Sequence, residues 1–140
     1  MKATELMVGD WVNFLVDTVG GESREDPMTN EYQPMQIVSL SSWRNNDGDV
    51  ESAEGVINDI DQVKPIHLTD EILKKNGFSL QSDNTEFFKL DTYCFGNELC
   101  EFLIHRLNNE DYQFGPAKIR NVHELQHAMR LCGIEKEVEL

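Results

Sequence analysis

The 140-residue chain carries 26 Asp/Glu against 12 Lys/Arg, a formal net charge of −14 at pH 7. That length supports one ordinary domain, or two small lobes, without metal or disulfide staples. The acidic excess repels phosphate backbones and argues against direct nucleic-acid binding, while a hydrophobic fraction of 39% argues against wholesale disorder.

The charge is spread along the chain: residues 1–68 sum to −9 and residues 69–140 to −5. No apolar run approaches the roughly 20 residues of a membrane-spanning helix. Met1-Lys2-Ala3-Thr4-Glu5 is followed by no continuous apolar stretch, so no secretory leader is expected. Cys94, Cys100 and Cys132 are odd in number and form no C-x-x-C pair. Reduced, mostly buried thiols in a cytoplasmic protein are therefore expected.

Gly9-Asp10 is a turn signal, and Trp11, Val12, Phe14, Leu15 and Val16 predict a strand over about 11–17. Residues 18–34 are polar and rich in turn formers, and predict a long loop. Met35, Ile37, Val38 and Leu40 predict a second strand between Pro34 and Trp43. Asn45-Asn46-Asp47-Gly48 reads as a turn. Val50 and Gly55-Val56-Ile57 suggest a third, irregular strand, followed by the apolar beat Ile60, Val63, Ile66. Short strands joined by turns suggest a small SH3-like barrel or rolled sheet.

Thr69 predicts a helix N-cap, with Asp70 and Glu71 in the first turn, Lys74 and Lys75 in the last, and Gly77 just beyond. Alternation over 85–95, bounded by Gly96-Asn97, predicts a strand. Residues 98–107 fit either a helix (Leu99, Leu103, Leu107) or a strand face (Cys100, Phe102, Ile104). The strand reading is adopted, with Asn108 to Asp111 turning into Tyr112-Gln113-Phe114. A last helix is expected from Val122 to Cys132, between Asn121 and Gly133.

One motif carries chemistry. His123-Glu124-Leu125-Gln126-His127 matches H-E-x-x-H, in which two histidines one helical turn apart hold zinc and the glutamate activates the bound water. If the chain is a zinc-dependent hydrolase, His123 and His127 are the ligands and Glu124 the base. At about 100° per residue, however, Leu125, Ala128, Met129 and Cys132 share the apolar stripe, and His123, His127 and Arg130 fall on the other side. The wheel thus predicts imidazoles in water, and a third ligand is not evident in the short segment after His127; His67 and His105 are the upstream candidates. No cofactor is expected. Cys94, Cys100 and Cys132 with His105 read as core thiols rather than a nucleophile or cluster. Asp47, Asp49 and Glu51 lack the spacing of a calcium loop and read as a solvated turn. Gly20-Gly21 precedes no lysine or helix and is no phosphate loop. Trp11 and Trp43 read as core or rim residues of the β lobe, or as an exposed binding patch.

Three blocks resemble a family of small uncharacterised proteins from gut Bacteroidetes. These are Glu5 to Val12, Val63 to Phe78 (VKPIHLTDEILKKNGF) and Val122 to Gly133 (VHELQHAMRLCG). The resemblance implies a protein with no assigned activity, associated with phage-like or mobile regions. It also implies that glutamine and asparagine replace Glu124 and His127 in relatives, which would make the zinc motif accidental. The long 18–34 segment departs from shorter members.

The sequence as a whole predicts an α+β protein: an N-terminal SH3-like or rolled β lobe over 1–68, then a short linking helix, a small antiparallel sheet and a C-terminal helix over 69–140. The leading functional expectation is a non-enzymatic interaction or accessory protein with a protein partner and no membrane contact. The alternatives are the zinc hydrolase and an acidic mimic that blocks a nucleic-acid-binding protein. Oligomeric state has no sequence signature.

Overall fold

A computed structural model describes residues 5–19, 29–42, 48–82, 91–96, 102–107 and 111–140. The protein is α+β and divides into two units, Met1–Ile66 and His67–Leu140. A division after Leu68 was expected from sequence. In the structure, Leu68 donates its amide to the Arg120 carbonyl at 2.9 Å and His67 bridges Asn121, so both residues belong with the second unit.

The first unit is a four-stranded antiparallel sheet in the order β1-β2-β3-β4, with β1 Trp11–Val19, β2 Thr29–Ser42, β3 Gly48–Ser52 and β4 Ile57–Asp59. It curls around Leu6, Val12, Phe14, Met35, Ile37, Val50, Ile60 and Val63, all of them buried. Of the loop predicted over 18–34, Thr18, Val19 and residues 29–34 are strand, and residues 20–28 lie outside the described residues. Val19 pairs with Thr29, and the strand runs straight through Pro34. Proline is tolerated there for a local reason. Its partner Asn13 turns its backbone N–H and C=O to the other side, where they bond Lys64 at 2.8 and 3.0 Å, so no ladder bond calls on the missing proline donor.

A tight turn separates β3 from β4. Ser52 N donates to Val56 O at 2.8 Å, Val56 N donates to Ser52 Oγ at 3.0 Å, and Gly55 has φ 83°. That left-handed turn splits the single irregular third strand expected from sequence into two. The curl is closed by a side chain. Leu15 N donates to Asn58 Oδ1 at 2.7 Å, and Asn58 Nδ2 donates to Leu15 O at 3.0 Å, so a carboxamide stands in for a strand partner on the outer edge of β1, next to the Lys64 bridge at Asn13.

The second unit opens with α1 Asp70–Lys75, capped by Thr69 Oγ1, which accepts from Ile72 N at 3.2 Å. Beyond its C-cap Asn76, Gly77 takes φ 86°. A five-stranded antiparallel sheet follows, β5-β6-β7-β8-β9: β5 Phe78–Ser82, β6 Asp91–Phe95, β7 Phe102–Arg106, β8 Tyr112–Phe114 and β9 Ala117–Ile119. The strand alternative for the ambiguous segment thus holds over Phe102–Arg106; residues 98–101 and the turn at 108–110 lie outside the described residues, as do 85–90. The register sets Phe78, Phe95 and Phe102 in one row and Tyr93 and Ile104 in the next. Phe102 stacks on Phe114 with ring centres 4.5 Å apart, and Tyr93 meets Tyr112 edge-on at 6.1 Å.

α2 Val122–Leu131 ends as the sequence predicts. Gly133 takes φ 73°, Gly133 N donates to Arg130 O and Ile134 N to Met129 O, both at 3.0 Å, the paired bonds of a Schellman stop. The acidic segment after it is tied down. Val138 is buried, and Glu139 exchanges two hydrogen bonds with the buried Asn76 side chain at 2.6 and 2.7 Å. Among the described residues no helix is long and apolar enough to cross a membrane.

Candidate functional site

The H-E-x-x-H residues lie on the first two turns of α2, and their side chains divide. His123 is buried, at 4% exposure, and His127 is half-buried. Their rings meet edge-on with centres 5.9 Å apart. The expectation that both imidazoles face water is therefore corrected for His123. A helical wheel assumes one neighbour on one side. Here the chain at His67 and Leu68 pairs with Arg120 and Asn121 just ahead of α2, and the buried face of the helix includes His123 and Gln126. At the other end the stripe stops early: Cys132, expected in the core, is an exposed free thiol.

Glu124 turns back on its own helix start. Its Oε1 accepts from Asn121 Nδ2 at 2.6 Å, and its Oε2 accepts from Arg120 N at 3.4 Å. A carboxylate in the first turn also suits the positive end of the helix dipole. Asn121 has cap backbone angles but makes no side-chain cap bond; its carboxamide is held by Glu124 instead. The upstream candidates do not complete a ligand shell. His105 Nδ1 hydrogen-bonds Thr92 Oγ1 across β6 and β7 at 2.9 Å, and His67 is exposed. Among the described residues no three of His, Cys, Asp and Glu gather as a metal site.

A second cluster was missed by sequence reasoning. A cleft of about 340 Å³ is lined by Leu68, Thr69, Asp70, Glu71, Arg106 and Tyr112. Asp70 Oδ2 accepts from Arg106 Nη1 at 2.7 Å, and Asp70 Oδ1 accepts from Tyr112 OH at 2.5 Å. Burial, and then the Asp70 carboxylate, push the Tyr112 hydroxyl well above the ordinary tyrosine range. Each group satisfies another, so the trio ties the first turn of α1 to β7 and β8 and holds the tyrosine proton in place. Asp70 reads in the sequence only as a first-turn acid, because its partners lie 36 and 42 residues away.

Cys94 is disulfide-bonded, which corrects the expectation of reduced thiols. Trp11 is half-buried in β1 opposite Gln36, while Trp43 lies outside the described residues, so the proposed tryptophan patch has no described geometry. No protein family, curated protein or solved structure matches the chain.

Proposed function

We propose that the chain is a non-enzymatic interaction module with a protein partner, an accessory protein of a phage or mobile element. The element association rests on the resemblance of its three sequence blocks. The observation that carries the non-enzymatic part is the use made of Glu124. The glutamate that a zinc hydrolase would aim at a metal-bound water instead receives amide hydrogens at the start of its own helix. Asp70, Arg106 and Tyr112, the other polar cluster in a cleft, are likewise engaged with one another. Affinity capture of the full-length chain at native abundance is the test. One partner in fixed stoichiometry is expected, and capture of none ends this reading.

A second reading has one observation in its favour: the His123 and His127 rings converge to 5.9 Å. Zinc titration of untagged protein, followed by native mass spectrometry, separates the two. Retention of one zinc that His127→Ala abolishes would establish the pair as ligands and return Glu124 to the role of candidate base.

A further inference from the structure

The solvent face of β2, β3 and β4 has an unusual composition. The register sets Ser39, Glu51 and Ile57 in one row and Ser41, Asp49 and Asp59 in the next. Val38 joins this face through the irregularity between Ile37 and Ser39. Ile57 is 63% exposed and Val38 48%, although both are strand formers with an adjacent core to fill. Asp49 and Asp59 stand directly opposite each other, an arrangement in which like charges weaken strand pairing. Asp59 also precedes the 3₁₀ turn Ile60–Gln62, where an acid suits the helix start; Asp49 opens no helix. Among the described residues of this unit Lys64 is the one cation, and its ammonium sits 4.2 Å from the centre of the Tyr32 ring.

Two local costs, exposed apolar side chains and facing carboxylates, therefore share one surface, and a cationic ligand with apolar side chains would relieve both. We propose that this face docks a basic segment of a partner protein in which Lys or Arg alternates with apolar residues. Ile57 and Val38 receive the apolar side chains, and Asp49, Glu51 and Asp59 receive the cations. The assignment rests on the interaction-module reading above and adds the surface and the partner's chemistry to it.

The test is titration of the isotope-labelled full-length chain with a synthetic peptide alternating Lys and Val, beside a Glu/Val peptide and oligolysine. Saturable amide shifts confined to β2–β4 are expected with the Lys/Val peptide alone. Ile57→Ser, at an exposed position that leaves the core intact, is expected to weaken binding about tenfold. Asp49→Asn is expected to flatten its salt dependence. Equal binding by oligolysine, or an Ile57→Ser variant that binds as the parent does, overturns the proposal. If the chain captures a stoichiometric native partner equally well with and without Ile57→Ser, this face is wrong and the interaction reading stands. If it captures none, the interaction reading fails first.

Discussion

Asp70 shows how one side chain can be fully committed without any local sign of it. Its two oxygens serve Arg106 on β7 and Tyr112 on β8. The phenol is buried at 1% exposure, so its proton is held by both desolvation and the carboxylate. A folded-state pKa above the unfolded one stabilises the protein fully below the unfolded value, near 10, and that contribution drains away as pH rises toward the folded value. Tyr112→Phe keeps the ring packing and removes the hydroxyl. It should cost about 1 kcal/mol at pH 7, as a single hydrogen bond to a partly exposed carboxylate does. The parent should also lose urea resistance between about pH 10 and pH 12 relative to the variant, since only the parent carries this proton. Parallel urea melts at pH 7 and across that range check both points; a constant difference between the two proteins at every pH would contradict the assignment.

At the scale of elements, the sequence was most legible where a signal is local. Thr69, Gly77 and Gly133 mark helix ends through chemistry that acts within a turn: α1 starts after Thr69, and α1 and α2 end just before Gly77 and Gly133. It was least legible where a distant partner decides. Pro34 looks like a strand breaker until Lys64 takes up the backbone of Asn13. His123 falls on the polar side of a helical wheel, yet it is buried in the structure. Asn58 carries no signal at all, yet its carboxamide closes the curled sheet on Leu15 across 43 residues. Asn58→Ala strips both partners from Leu15 on a half-buried edge and should cost about 2 kcal/mol with an unchanged urea m-value. The Leu15 amide should then exchange its hydrogen much faster, whereas amides of the second unit should keep their protection. Asn58→Asp retains the acceptor for Leu15 N–H but turns a carboxylate oxygen toward Leu15 O, and should be at least as damaging. A loss below about 0.5 kcal/mol in the alanine variant would show that the side chain does not hold the edge.

At the scale of the whole molecule, the α+β class and the succession of rolled sheet, short helix, second sheet and last helix were readable because each rests on periodicity and turn residues. Covalent state was not readable in that way. An odd number of cysteines without a C-x-x-C pattern points to reduced thiols, but the structure bonds Cys94 in a disulfide and leaves Cys132 free on the surface. Those facts pull against a cytoplasmic assignment, since structural disulfides persist in oxidising compartments and are reduced by the cytoplasmic thiol pool. Burial alone would also protect Cys94, at 3% exposure, so labelling must be done in the unfolded state. In guanidinium without reductant, iodoacetamide should modify Cys132 and leave Cys94 unlabelled; addition of reductant should open Cys94 to the reagent, as peptide mapping would show. The same labelling performed during lysis of the producing cells tests the compartment. Cys94 protected there means that the bond exists in the cell and argues against a cytoplasmic home, whereas Cys94 labelled at the rate of Cys132 removes the bond and restores the reduced-thiol expectation.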